Sequence, residues 1–568
     1  MAMSCIVLIC LVIARVFAHN STYFNPILPG FHPDPSCIFV PEKDNTFFCA
    51  SSSFLAFPGL PIHASRDLRG WRLISNALSR PSQLPDLASV RNPSGGIWAP
   101  TLRYHRGLFY LFTTLVLEDL PINASSRWDN FFVTSNNPYK SSSWSEPIHF
   151  SFEGYDPSVF WDQDNRAYVT GAHAWQISPG INQVTINLKT GSVGDVVNIW
   201  NGTGRLAPEG PHLYRKDGYF YLMIAEGGTG RNHQETIARS RNINGPYTSN
   251  PANPVLTNAN TTSYFQAVGH ADLFQDAEDQ WWACALAIRV RSDNTSPMGR
   301  ETVLTPVTWR EGEWPTATKV SGEMDGWNMG SRKRIPSGEG SMVDADHYHN
   351  FAPRSVLPPE FLYFRIPDWK NYLISPRERP YSLRLQSSMT NLSGPYDISG
   401  KPQPPTFIGQ RQTHTYFTFS VELDVNLQEE GQEAGVTVFL DQNNHYEFGM
   451  AMLPDSAGNS LAPHFRLRGF SDIVPSPAPI LSPVPNWWLK RTLVLQIQAS
   501  NHTHFSFSVG LASARSEMRT IGYGRGIGLS WKFTGVLAGV YATTNGAGQA
   551  FPAYISSWSY KGQGQLLS

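Results

Sequence analysis

A polar turn that leads into an aromatic-rich strand occurs five times in the first half of this chain. No other feature restricts the fold as much. The copies are Asp44-Asn45-Thr46-Phe47-Phe48, Arg106-Gly107-Leu108-Phe109-Tyr110, Asp164-Asn165-Arg166-Ala167-Tyr168, Asp217-Gly218-Tyr219-Phe220-Tyr221 and Asp279-Gln280-Trp281-Trp282. They lie about 53 to 62 residues apart. A shorter strand precedes each copy, over 34–40, 99–105, 156–162, 209–216 and 270–275. After several copies a further strand ends in a turn, as at Gly70-Trp71, Pro138-Tyr139 and Pro246-Tyr247. A multi-strand unit repeated at a period above 40 residues predicts an all-β, five-bladed β-propeller. A sandwich would not repeat so regularly.

The innermost strand of each blade lines the central channel, and its first residues face the axis at the same end in every blade. That places Asp34, Trp98 with Ala99, Asp156, Glu209 and His270 around one funnel, His270 fitting the register only to within a residue. Carboxylates thus recur at one position, in Phe31-His32-Pro33-Asp34-Pro35-Ser36, in Tyr155-Asp156-Pro157-Ser158 and, altered, in Pro208-Glu209-Gly210-Pro211. A lone Asp before Pro is usually a turn residue; the shared register sets these apart. Converging carboxylates suit acetal cleavage, which needs a proton on the leaving oxygen and a nucleophile at the anomeric carbon. Glu209 has the longer arm and sits between Ala207-Pro208 and Gly210-Pro211, where burial raises its pKa. It is assigned as general acid. Asp34 activates water from the opposite side, and Asp156 orients Glu209 and raises its pKa by like-charge repulsion. His270 is either a channel histidine that holds water or a metal, such as a structural calcium ion, or a core residue. Arg300 is either a surface charge or the cation that pairs with a carboxylate or reads a sugar hydroxyl. The chemistry itself requires no cofactor.

At 568 residues the chain is too long for one ordinary domain. The repeat fades after about Trp314, and the propeller is taken as 19–327. Residues 328–350 are polar and Gly-containing and read as a linker. From 351 to 568 the pattern alternates, with strands expected at 416–425, 435–440, 446–450, 492–498 and 504–509, as in a β-sandwich. Gly522-Tyr523-Gly524-Arg525-Gly526 reads as a loop. Residues 1–18 read as a secretory signal peptide: the run Cys5 to Ile13 is too short to span a bilayer, and Val16-Phe17-Ala18 fits a cleavage site. Seven sequons, at Asn20, Asn123, Asn201, Asn260, Asn294, Asn391 and Asn501, also point to a secreted, extracellular protein. Cys37 and Cys49 flank a turn and face each other on a hairpin. A disulfide and two buried thiols both remain open there. Cys284 has no evident partner. With 44 Lys and Arg against 45 Asp and Glu, nucleic acid and anionic membranes are poor partners. The 17 Trp, 22 Tyr and 32 Phe suit both an all-β core and a sugar-binding cleft.

At these residues the chain resembles glycoside hydrolase family 43. The matching motifs are Gly30 to Ser36, Ser53-Phe54 through Phe57-Pro58-Gly59, Gly95-Gly96-Ile97-Trp98-Ala99-Pro100, Tyr155-Asp156-Pro157-Ser158, Ala207-Pro208-Glu209-Gly210-Pro211, Gly269-His270-Ala271-Asp272 and Gly299-Arg300-Glu301. The second domain resembles the concanavalin A-like sandwich of the family's β-xylosidases, at Gly409 to His414 and at Phe533-Thr534-Gly535-Val536. The resemblance implies an inverting mechanism with Asp34 as base, Asp156 as pKa modulator and orienter, and Glu209 as acid. It adds Phe54, Trp98, His270 and Arg300 as pocket residues, and Phe533 as a sandwich residue that closes the pocket. Family members remove terminal β-1,4-xylose or α-L-arabinofuranose, and some attack arabinan internally. The two-domain form implies exo-action on xylan or arabinoxylan oligosaccharides. Thr101 and Ala172-His173-Ala174-Trp175 depart from the family's xylosidases and leave the sugar open. The alternatives are a debranching α-L-arabinofuranosidase without xylosidase activity and a non-catalytic, lectin-like hemicellulose binder. The intact Asp-Asp-Glu set counts against the last.

Overall fold

The computed structural model describes residues 22–296, 298–327, 329, 333–335, 337–394, 403–455 and 460–568. The expected leader and Asn20 lie outside the described residues. The first domain is a five-bladed propeller. Blade I is Ser36–Val40, Thr46–Ala50, Gly59–Ser65 and Arg72–Leu78; blade II is Thr101–His105, Leu108–Val116, Trp128–Ser135 and Ile148–Phe150, with the short strand Gly96–Ile97 also on Leu108–Val116. Blade III is Tyr155–Trp161, Ala167–Ala172, Ile181–Ile186 and Val197–Trp200. Blade IV is Glu209–Lys216, Tyr219–Glu226, Gln234–Ser240 and Thr248–Ser249, and blade V is Phe265–Gln275, Trp281–Arg289, Arg300–Thr308 and Thr316–Ala317.

The backbone explains why the repeated turn is polar. Asp44, Arg106, Asn165, Asp217 and Asp279 all have φ between 50° and 63°, in the left-handed region. Tight hairpins need that conformation, and Asp, Asn and Gly tolerate it best. The aromatic residues that follow lie on the second strand of each blade, where neighbouring blades stack. Phe48, Phe109, Tyr221 and Trp282 are fully buried there.

The ring is closed by chain from both sides of the repeat. Tyr23–Phe24 pairs with Glu323–Met324, and the Ile27 N–H donates to Thr302 O of blade V at 2.9 Å. The stretch read as a linker is, where described, laid along the outer strand of blade I. Glu339 N donates to Ile74 O at 3.1 Å and Val343 N to Trp71 O at 2.9 Å. Cys37 and Cys49 lie directly opposite on the first hairpin and form a disulfide; Cys284 is a free, buried thiol.

The second domain is a sandwich of two antiparallel sheets. One runs Tyr372–Ile374, Leu383–Gln386, Pro552–Gly564, Tyr416–Val425, Leu493–Ala499, His504–Leu511, Arg519–Arg525, with His347–His349 also on Pro552–Gly564. The other runs Thr406–Arg411, Leu537–Thr543, Glu433–Asp441, Asn444–Pro454, Leu461–Phe470, Ile480–Pro483. The Gly-rich stretch expected as a loop is mostly strand: Gly522 to Arg525 pair with Phe507 to His504 at the sheet edge.

The two domains are joined by strand pairing and by buried polar contacts. Tyr363–Phe364 pairs with Ala56–Phe57 of the propeller. Arg289 and Glu301 of blade V form a fully buried, two-pronged ion pair at 2.6 and 2.7 Å. Arg289 also donates to Leu566 O at 2.6 Å and Thr415 Oγ1 at 3.2 Å of the sandwich, and Gly30 N donates to Glu301 Oε1 at 2.8 Å. Removing one partner of a buried pair strands the other charge. Glu301→Ala is therefore expected to cost about 3–5 kcal/mol, read as a lowered urea midpoint. A midpoint equal to wild type would rule this out.

Candidate active site

The mouth of the channel forms a cavity of about 280 Å³, at the small end of ligand sites. All eight residues expected in the catalytic set and pocket line it: Asp34, Asp156, Glu209, Phe54, Trp98, His270, Arg300 and Phe533. The three acids therefore do converge.

Their register differs from the one read in the sequence. The residue at the mouth of the inner strand is left-handed in four blades: Asp34, Asp156, Gly210 and His270, with φ of 50°, 55°, 57° and 51°. The same register shift brackets it in blades III, IV and V, between Tyr155 and Ser158, Glu209 and His212, and Gly269 and Asp272. His270 thus sits in register with the two aspartates, and Glu209 stands one residue ahead of it. Gly210 takes the acid's place because a Cβ there would lie 3.0 Å from the His270 ring.

The three acids sit in different electrostatic surroundings. Asp34 accepts the Ser52 hydroxyl at 2.6 Å on Oδ2. Its Oδ1 faces Arg300 Nη1 at 3.5 Å and His270 Nδ1 at 3.8 Å. One guanidinium cannot balance three buried carboxylates. Burial, then repulsion from Glu209 and Asp34, pushes Asp156 well above the usual carboxylate range. Burial also pushes Glu209 up to about 7; Arg300 opposes this rise and Asp34 adds to it. The Asp156–Glu209 pair therefore keeps a proton near neutrality. Gly210 N donates to Asp156 Oδ2 at 3.0 Å, which fixes the backbone beside Glu209, and the Tyr155 hydroxyl reaches Glu209 Oε2 at 3.3 Å. Burial lowers the pKa of His270.

The walls are aromatic. Phe54 packs with Trp98 and Phe533, ring centroids 6.5 and 6.2 Å apart, and Trp98 meets Tyr155 edge-on at 5.5 Å. Phe533 comes from the sandwich and lies 4.5 Å from the Arg300 guanidinium. Its loop is brought in by Gly299, whose φ is +70° and where a Cβ would strike Thr534 O at 2.1 Å. Arg300 is thus buried, not a surface charge. The sequence did not single out Glu118, Tyr155, Gln176 and Thr229, which also line the cavity.

Below the acids the channel is filled. Arg103 grips Asp272 at 2.6 and 3.1 Å, and Ser36 and Tyr214 donate to the same carboxylate at 2.6 and 2.7 Å. Calcium takes six to eight oxygens, whereas here a guanidinium already balances the channel carboxylate. Among the described residues no group of three or more His, Cys, Asp or Glu is placed to hold a metal ion. His270 faces Asp34 at 3.8 Å, and the cation that meets the channel carboxylate Asp272 in this structure is the Arg103 guanidinium.

Three carboxyls at the mouth of a five-bladed ring, one beside a guanidinium and two with pKa values raised by burial, form the site of a glycosidase. The chain belongs to glycosyl hydrolases family 43, whose model matches residues 23–315; the β-xylosidase C-terminal concanavalin A-like domain matches 349–561. It is 32% identical to the non-reducing end α-L-arabinofuranosidase BoGH43B of Bacteroides ovatus, over 98% of each chain. It is 32% identical to a xylosidase/arabinosidase of Butyrivibrio fibrisolvens, over 74% of this chain and 78% of that one. A solved xylan β-1,4-xylosidase of Bacillus halodurans superposes with a TM-score of 0.80 at 27% identity, covering 95% of this chain and all of the other.

Proposed function

We propose that the protein is a secreted, inverting exo-glycosidase that releases terminal β-1,4-xylose, α-L-arabinofuranose or both from xylan and arabinoxylan oligosaccharides. The observation that carries this is the convergence of Glu209, whose pKa burial raises to about 7, and Asp34, held beside Arg300, in one small cavity that Phe533 also lines. Glu209 gives its proton to the leaving oxygen. Asp34 takes a proton from a water that attacks the anomeric carbon, while Ser52 occupies its other oxygen. The C–O bond to the leaving sugar breaks, and one water is consumed. Asp156 acts through Gly210, holding the strand mouth that carries Glu209.

The full-length likeness to an arabinofuranosidase supports arabinofuranose as a substrate, and the relative named for both activities supports a shared pocket. Secretion is supported by the leader and by the exposure of Asn123, Asn201, Asn260, Asn294 and Asn501. Asn391 is half-buried, and its Oδ1 accepts from Ser393 N and Gly394 N.

The deciding experiment is to identify the monosaccharide released from arabinoxylan oligosaccharides. Xylose from the non-reducing end makes it a β-xylosidase, and arabinose with an intact xylan chain makes it a debranching enzyme. Binding without release of either sugar would overturn the proposal in favour of a lectin. The pH profile is a second check. Glu209 works protonated, so kcat/KM should fall as pH rises through about 7. A kcat/KM that stayed flat across the neutral and alkaline range would count against Glu209 as the acid.

A further inference from the structure

Glu118 is the fourth carboxylate of the cavity among the described residues, and it takes no part in the arrangement around the anomeric carbon. It lies two residues beyond the strand Leu108–Val116 of blade II, away from the inner-strand mouths that carry the three acids. Its position is set by its neighbours. The Ser94 hydroxyl donates to Glu118 Oε2 at 2.5 Å, and Arg127 Nη2 lies 3.6 Å from Oε1. Arg127 also donates to Glu118 O at 2.8 Å and Leu120 O at 2.5 Å, which pins the turn. The same Ser94 accepts the Trp98 indole N–H on its backbone oxygen at 2.8 Å, so the carboxylate and the aromatic wall are braced together.

An ionised carboxylate offers about four acceptor sites. Ser94 uses one, and Arg127 faces Oε1 from 3.6 Å, which leaves capacity toward the cavity. Much of the remaining wall is aromatic (Phe54, Trp98, Tyr155 and Phe533); Gln176 and Thr229 add neutral polar groups, so Glu118 is the carboxylate acceptor outside the three acids among the described lining residues. We infer that Glu118 accepts hydrogen bonds from sugar hydroxyls remote from the anomeric carbon, and so sets the balance between xylopyranose and arabinofuranose. The two sugars differ there: the pyranose carries only ring hydroxyls, whereas the furanose carries an exocyclic CH₂OH. A site built to pair with a hydroxyl discriminates strongly against a sugar that places it elsewhere.

This rests on the pentosidase reading above. The test is to measure kcat and KM of the full chain, and of Glu118→Ala and Glu118→Gln, on 4-nitrophenyl β-D-xylopyranoside and 4-nitrophenyl α-L-arabinofuranoside. The ratio of the two kcat/KM values should change by about tenfold or more in Glu118→Ala. The change should come mainly through KM, with a weaker competitive Ki for the free sugar most affected. Glu118→Gln keeps an acceptor for Ser94 and should shift the ratio in the same direction by less. A residue that merely braced Trp98 would depress both substrates alike and act on kcat. That outcome, or an unchanged ratio in both variants, overturns the inference. A wild-type protein that cleaves neither glycoside would instead overturn the pentosidase reading.

Discussion

Replacing Glu209 by glutamine is expected to lower kcat on xylan-derived oligosaccharides by about 10²–10⁴-fold, the usual contribution of a positioned general acid. The amide has nearly the same shape and no proton to give, so a sugar alkoxide must leave unassisted. A 4-nitrophenyl leaving group is far less basic and needs little protonation, so the loss on aryl glycosides should be much smaller. The alkaline limb of kcat/KM near pH 7 should also vanish, because the group that produces it is gone. Equal losses on both classes of leaving group would remove Glu209 from the acid role.

The second large effect is expected at Asp34. Asp34→Asn removes the base, and water must attack whatever the leaving group. The loss, again about 10²–10⁴-fold, should therefore be the same for oligosaccharides and aryl glycosides. This contrast with Glu209→Gln separates base from acid without reference to absolute rates. The substitution also removes a negative charge that raises the pKa of Glu209 and leaves Arg300, which lowers it, without its nearest carboxylate. The alkaline limb of the residual activity should move to lower pH. A shift to higher pH, or a loss confined to oligosaccharides, would contradict the assignment.

Much of this site was legible in the chain because a propeller converts sequence period into radial position. The turn residues Asp44, Arg106, Asn165, Asp217 and Asp279 mark where a left-handed backbone is needed, so they count the five blades. The acids at the start of the preceding strands of blades I, III and IV follow from that count. The reading slipped at Glu209, where the register shift between Glu209 and His212 moves the strand mouth to Gly210. A one-residue offset beside a bulge leaves no trace in composition or alternation. In the sandwich the expected strands were found, but Thr406–Arg411, Leu461–Phe470, Leu537–Thr543 and Pro552–Gly564 were not read. Two of these carry Gly-containing, near-continuously buried runs, Thr406–Arg411 and Leu537–Thr543, with no period-2 alternation to detect.

What the chain determined alone is therefore local and periodic: the blade count, the hairpin that sets Cys37 opposite Cys49, and which three acids converge. What only the tertiary structure decided depends on surfaces from distant parts of the chain. Phe533 meets Arg300 because Gly299 lets the sandwich loop approach blade V. Arg103 meets the channel carboxylate because it reaches across to Asp272, 169 residues away. The raised pKa values of Asp156 and Glu209 follow from their burial beside other carboxylates and one guanidinium, and burial is a property of the assembled ring.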